Sequence, residues 1–288
     1  MTSRAMLSVD TILVARDFSP VSRRALRMGL GLAAKMRATL HVLHVYEDWK
    51  SDHPTRDLDD VQEELVQAGF TADRPLQSVS VRAAERQGTE VAPTILRYAE
   101  EEDVDLLVLG TRGRNGVKRV LIGSVAEAVI RRSDRAVLTV RERGDEITLG
   151  DIDRILVPVD LSERAVESTR VAVEWAELHD ARTDLLHVVD EWSVPSKTAR
   201  SRLLAFAKDS CGFDVSVDLH VERGGVGHTI TEFANTQDMD LVVLSTHGGS
   251  GLKRSLLGSV TETVTRSVDC PVLTVRPSGR SIRAIRVD

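Results

Sequence analysis

Residues 110–141 read GTRGRNGVKRVLIGSVAEAVIRRSDRAVLTVR, and residues 245–276 read STHGGSGLKRSLLGSVTETVTRSVDCPVLTVR. The two stretches align without a gap, and roughly 18 of about 32 positions are identical, which marks an internal repeat. The period is about 135–143 residues, the size of a whole domain rather than of a solenoid unit. The chain is therefore one fold written twice. The repeated stretch is also where glycines, cations and small hydroxyl residues collect, so the duplication and the candidate chemistry fall in the same place.

Working outward, each copy opens with a short apolar run, Thr11-Ile12-Leu13-Val14-Ala15 and Arg154-Ile155-Leu156-Val157-Pro158-Val159. Continuous runs of this kind suit strands buried on both faces of a parallel sheet. Each run ends in an acid and a hydroxyl, Asp17-Phe18-Ser19 and Asp160-Leu161-Ser162. Helices follow at about 19–36 and 162–179, with Ser19 and Ser162 as N-caps and Pro20 at the first helical position. Second strands are expected at Thr39–Tyr46 and Thr183–Val189, each containing Leu-His-Val. Helices at 55–68 and 196–209, strands near 76–83 and 214–222, and helices near 89–101 and 226–236 come next. The most apolar strands are Val104–Leu109 and Met239–Leu244. A Gly-rich loop, a helix (124–132, 259–267) and a last strand (Ala136–Val140, Pro271–Val275) close each copy. The order βαβαβαβαβ predicts two tandem α/β domains, each a doubly wound five-stranded parallel sheet with helices on both faces. The expected bounds are 1–144 and 151–277, with a linker at Glu142–Asp151 and a loosely ordered tail at 278–288.

Composition narrows the function. Of the chain, 42% is hydrophobic, 28% charged and only 3% aromatic, so the cores are aliphatic. A net charge of −6 argues against a nucleic-acid surface, which requires a basic face. Cys211 and Cys270 are isolated and form no CxxC, as in a reducing compartment. No signal-like stretch and no apolar run of about 18 residues appears. The expectation is a cytoplasmic protein without membrane contact.

The loop pattern in the first copy is Gly110-x2-Gly113-x9-Gly123-Ser124. It starts where a buried strand stops and ends where a helix begins, the place where open parallel sheets bind ligands. Glycines admit close backbone approach, and the amides and dipole of a helix start favour an anion. Arg112, Arg114, Lys118 and Arg119 surround the loop and could pair with phosphate oxygens. Other readings stand beside this one. Ser124-Val125-Ala126-Glu127 and Ser259-Val260-Thr261-Glu262 have the capping-box pattern S-x-x-E. Asp17 and Asp160 could simply cap the helices that follow them. His44 and His187 lie in apolar strands and read as satisfied core histidines. Gly29-Leu30-Gly31-Leu32-Ala33-Ala34 imitates a dinucleotide fingerprint, but it falls inside a helix, where close packing on the sheet explains it. No Walker loop, HExxH, GxSxG or metal-spaced His/Cys cluster occurs.

Strand–Asp–x–Ser, Leu-His-Val, G-x2-G-x9-G-[ST] and the trailing Pro/Ala-Val-Leu-x-Val strand together resemble the universal stress protein family, in two copies over nearly the whole chain. The resemblance implies a Rossmann-like sheet related to the adenine nucleotide alpha hydrolases. It further implies a site for ATP, ADP or AMP, with Mg2+ as an accompanying ion. Asp17, after Ala15, approaches the adenosine, and Val45 contacts the adenine ring. Gly110, Arg112 and Gly113 line the phosphates, and Gly123, Ser124 and Val125 close the site. In the second copy the same positions are Pro158, Asp160, Val188, Ser245, His247, Gly248, Gly258, Ser259 and Val260. Ser245 replaces the family's first loop glycine, which puts nucleotide binding there in doubt. The resemblance also implies pairing of the last strands as an intramolecular pseudo-dimer or across a homodimer, and an unidentified protein partner. No residue reads as a general base beside the phosphates, so a stress-response sensor or regulator is expected rather than a fast catalyst. A nucleotide-free scaffold and a slow ATPase are the alternatives.

Overall fold

The computed structural model describes residues 5–46, 79–111, 122–141, 152–190, 196–211, 217–246, 258–276 and 283–286. The chain divides into two compact units, Ser8–Glu142 and Arg143–Asp288 together with Met1–Leu7.

The first unit contains β2 (Thr11–Arg16), α1 (Pro20–Met36), β3 (Thr39–Tyr46), β4 (Val81–Gln87), α2 (Val91–Glu101), β5 (Leu106–Gly110), α3 (Ser124–Arg132) and β6 (Ala136–Val140). Its strands pair in parallel in the order β4-β3-β2-β5-β6. The chain runs outward from β2 through β3 to β4, then returns to β5 on the other flank. Strand order thus reverses between β2 and β5, opening a crevice at their carboxyl ends.

The second unit repeats this plan with β7 (Arg154–Pro158), α4 (Glu163–His179), β8 (Arg182–Val189), α5 (Ser196–Cys211), β9 (Val217–Arg223), α6 (Val226–Thr236), β10 (Leu241–Ser245), α7 (Ser259–Ser267) and β11 (Val272–Val275). Its parallel order is β11-β10-β7-β8-β9, with the reversal between β7 and β10. Residues 278–288, read above as a loosely ordered tail, contain a strand, β12 (Arg283–Arg286), paired with β1 (Ala5–Ser8). Four residues give too little alternation to stand out from a Pro- and Gly-containing tail. The helix expected at 55–68 and the linker lie outside the described residues.

The apolar runs do become central strands: Ile12, Leu13, Val14 and Leu106–Leu109 are buried in one unit, and Ile155–Val157 and Leu241–Leu244 in the other. A side chain on Gly29 would overlap that of Val14, which accounts for a glycine inside α1 by helix–sheet packing. Aspartates fix the strand starts in both copies. Asp105 Oδ2 accepts from the amides of Asp10 (2.8 Å) and Thr11 (3.0 Å). Asp240 Oδ2 accepts from those of Asp153 and Arg154, both at 2.9 Å. Burial raises the pKa of both carboxyls, against the lowering effect of the amides they accept from.

Candidate functional site

Each candidate site is built from the carboxyl ends of the strands that flank the reversal. In the first unit β2 ends at Arg16 and leads into Asp17-Phe18-Ser19 before α1 starts. Asp17 Oδ1 accepts from the Ser19 amide at 3.0 Å, and Ser19 Oγ accepts from the Ser22 amide at 3.2 Å as the helix N-cap. Phe18 between them has φ of 62°, a left-handed conformation that side chains other than glycine adopt at a cost. The second unit reproduces this turn: Asp160 Oδ1 accepts from the Ser162 amide at 3.0 Å, and Leu161 has φ of 61°. There the Ser162 hydroxyl donates to Asp160 at 2.6 Å instead of capping α4. Both aspartates therefore use one carboxylate oxygen to shape the entrance to a helix.

The histidines of the two Leu-His-Val segments lie beside these turns. Nδ1 of His44 is 2.9 Å from the Arg16 carbonyl, and Nδ1 of His187 is 2.9 Å from the Val159 carbonyl. Val45 and Val188 follow them and are half-buried, and Val188 packs against the core of its unit together with Val260. Ala15 and Pro158 occupy equivalent places near the strand ends, pairing with Leu43 and Leu186.

The other wall is the start of α3 or α7. Here the capping-box reading is corrected. Gly123 and Gly258 are the N-caps, with φ/ψ of −63°/143° and −60°/139°, and neither helix has a side-chain capping hydrogen bond. Ser124 and Ser259 are exposed first residues of their helices. The frame is one residue later than a capping box needs. Glu127 and Glu262 fall at the fourth helical position, where they pair with Arg131 (3.9 Å) and Arg266 one turn on.

In both copies the residue that follows β5 or β10 is a threonine the sequence reading did not single out. Thr111 and Thr246 are buried, and their amides donate to Val140 O (2.8 Å) and Val275 O (3.0 Å). Thr111 O in turn accepts from the Gly123 amide at 2.5 Å. Their signal was present in the aligned repeat, where threonine follows the first loop position in both copies. Arg112, Gly113, His247 and Gly248, with Arg114, Lys118 and Arg119, lie outside the described residues.

The glycines of this wall differ in what requires them. A Cβ on Gly110 would sit 2.9 Å from Val21 Cγ1 and 3.2 Å from the Ser22 nitrogen, so the start of α1 already fills that space. A Cβ on Gly258 would meet only Thr246 O at 3.6 Å and Thr261 Oγ1 at 3.8 Å, which is ordinary contact. Its backbone also suits any residue. Packing requires glycine at 110, and nothing in the described chain requires it at 258. Among the described residues no group of His, Cys, Asp or Glu could hold a metal ion, and no helix is long and apolar enough to cross a membrane.

The fold and site define a class: a duplicated open α/β domain with a glycine-capped crevice at the strand-order reversal. The model of the universal stress protein family matches residues 8–141 and again 151–276, and the chain belongs to that family. A universal stress protein of Mycolicibacterium smegmatis is 27% identical over 293 residues, covering 92% of this chain and 97% of its own length. Universal stress protein MJ0531 of Methanocaldococcus jannaschii is 30% identical over 138 residues, 43% of this chain and 81% of its own. Among solved structures, a universal stress protein from Archaeoglobus fulgidus superposes with a TM-score of 0.66 at 21% identity, over 92% of this chain and 98% of the other. That likeness extends to the tandem arrangement of the fold.

Proposed function

We propose that the chain binds an adenine nucleotide, ATP with Mg2+, in at least the first unit, and acts as a nucleotide-responsive regulator of a stress response rather than as a catalyst. The observation that carries this reading is the glycine that caps the helix start in both units, Gly123 at α3 and Gly258 at α7. At Gly258 neither the backbone conformation nor any described neighbour calls for a glycine, and a glycine cap lets a ligand approach the helix-start amides closely. Amides at a helix start, with the positive end of its dipole, suit a phosphate. The hydroxyls of Ser124 and Ser259, not engaged in capping, add donors at the same place. Asp17 follows β2, the strand beside β5 at the reversal, and in this reading its carboxylate meets the hydroxyls of a ribose. Arg112 and Gly113 of the first loop, and His247 and Gly248 of the second, supply the remaining phosphate contacts in this reading.

The test uses the full chain. Small molecules released on denaturing freshly purified protein are identified by mass spectrometry, and ATP, ADP and AMP are titrated by calorimetry with and without Mg2+. An adenine nucleotide is expected in the released fraction. Gly113→Val is expected to weaken ATP binding at the first site by at least about tenfold. Release of no nucleotide, together with no heat from millimolar ATP, ADP or AMP, overturns the proposal.

A further inference from the structure

We infer that His44 and His187 are positioning residues of the two crevices. Each holds, through its ring Nδ1–H, the carbonyl that immediately precedes the site aspartate. This rests on the nucleotide reading above for what is positioned, but the clamp itself is a matter of geometry.

A carbonyl oxygen only accepts, so the Nδ1 that faces it carries the proton. The bond spans 28 residues in both copies and measures 2.9 Å in both. It joins the end of β3 to the last residue of β2, and the end of β8 to Val159 just past β7. One residue further on, the backbone leaves the sheet through Asp17 or Asp160 and enters the left-handed Phe18 or Leu161. A left-handed bulky residue persists only where its surroundings over-determine it. Two devices do so here. The aspartate carboxylate takes the Ser19 or Ser162 amide from one side, and the imidazole takes the preceding carbonyl from the other.

The duplication works as an internal control. The residues around the clamp differ between the copies: Arg16 against Val159, and Phe18 against Leu161. In the first unit the Phe18 ring lies 4.7 Å from the His44 ring, with the Arg16 guanidinium 5.1 Å from Phe18. The second unit has neither an aromatic nor a cation at those places. Yet the two turns agree to a degree in φ, and the two Asp–Ser bonds are both 3.0 Å. What the copies share is the aspartate, the serine and the histidine. The ring contact is therefore not what sets the turn. These histidines are hydrogen-bonded, as the sequence reading held, but half-buried rather than core, and their partner is the backbone carbonyl that precedes the site aspartate.

The experiment compares His44→Phe and His187→Phe, together and singly, with His44→Asn and His187→Asn in the full chain. The side-chain amide nitrogen of Asn stands where Nδ1 stands and can donate to the same carbonyl. ATP is the titrant, and hydrogen exchange of the Ser19 and Ser162 amides reports on the turn without ligand. The Phe variants are expected to bind ATP at least about tenfold more weakly and to exchange these amides faster. The Asn variants should stay within about threefold of the parent in affinity, a loss of under half a decade, with near-parental exchange. A double Phe variant that does not fold is replaced by His187→Phe alone. Phe variants with parental ATP affinity overturn the assignment even where exchange rises, and so do Asn variants as impaired as Phe. A parent chain that binds no nucleotide defeats the functional reading instead. Exchange then decides the clamp alone: faster in Phe and restored in Asn upholds it, and unchanged exchange overturns it.

Discussion

Val21 packs into the space that a side chain on Gly110 would fill, with the ideal Cβ position only 2.9 Å from Val21 Cγ1. The first loop glycine thus serves the contact between β5 and the start of α1. A phosphate-facing role is not what excludes a side chain there. The equivalent residue, Ser245, carries a Cβ, and by the same count along α4 the residues opposite are Arg164 and Ala165 rather than Val21 and Ser22.

Gly110→Ser is therefore expected to destabilise the first unit by about 1–3 kcal/mol, the usual scale of overpacking. Thermal or urea unfolding reads the change. Ser245→Gly, by contrast, should leave ATP affinity at the second crevice within about twofold, because the equivalent Cβ position at Gly110 meets the start of a helix; a tenfold change would be 1.4 kcal/mol. A tenfold gain in calorimetry would show that Ser245 does crowd the site, as the sequence alone suggests.

Gly258 gives the opposite pattern. Aspartate is a better N-cap than glycine and suits the positive end of a helix. Gly258→Asp is expected to keep stability or raise it by up to about 1 kcal/mol. The same change places a carboxylate where a phosphate is proposed, so ATP affinity should fall at least about tenfold. Gly258→Asn, a comparable cap without the charge, should lose less. Unfolding curves and titrations on the same samples separate the two effects. An Asp variant with parental affinity would remove the anion from this helix start.

Most of the architecture was legible because it follows from local patterns that occur twice. Buried strands announce themselves as apolar runs, and Ser19 with Pro20 marks a helix start correctly. The site was legible only in outline. The S-x-x-E spacing pointed to capping, but a glycine one residue earlier took the cap and moved Glu127 and Glu262 out of reach. Spacing alone does not say which of two adjacent small residues is the cap. Nor does a glycine pattern separate Gly110, fixed by a neighbouring helix, from Gly258, which has no such neighbour among the described residues. The Thr111 and Thr246 hydrogen bonds and the histidine clamps depend on pairings across the sheet, which no local window contains.

The copies also diverged inside the sheet. In the first unit Tyr98 and His41, both buried, are joined through the tyrosine hydroxyl and Nδ1 at 3.1 Å. Burial lowers the His41 pKa and raises that of Tyr98. The matching places in the second unit hold Asp184 and Phe233. Asp184 is fully buried, and its Oδ1 accepts from Arg154 Nη2 at 2.9 Å and His220 Nε2 at 2.7 Å. Its buried Oδ2 has no hydrogen-bond partner among the described residues. Removing a partner of an already under-satisfied carboxylate is costly, so His220→Ala is expected to lose about 1–3 kcal/mol. His220→Ala combined with Asp184→Asn should recover part of that loss, because the remaining group is neutral. A double-mutant cycle by urea unfolding measures the coupling, and strictly additive losses would deny it.

Glu174 provides the pH dependence. It sits half-buried on α4, and burial first, then repulsion from Glu177, raises its pKa from 4.5 to about 7, with Arg170 opposing. A carboxyl raised in the folded state favours folding while protonated. That contribution is complete below the unfolded pKa and is lost as pH climbs through the folded value. Stability of the parent chain should therefore fall between about pH 4.5 and 7 through this group and level off above it. Glu174→Gln removes the ionisation. At pH 8 the variant is expected to be more stable by about 1–2 kcal/mol, a figure reduced from the full linkage value because the side chain still reaches solvent. At pH 4, where the parent carboxyl is protonated in the folded chain, the two proteins should unfold at nearly the same urea concentration. A difference that stays constant from pH 4 to pH 8 would place the effect in packing instead of in the charge.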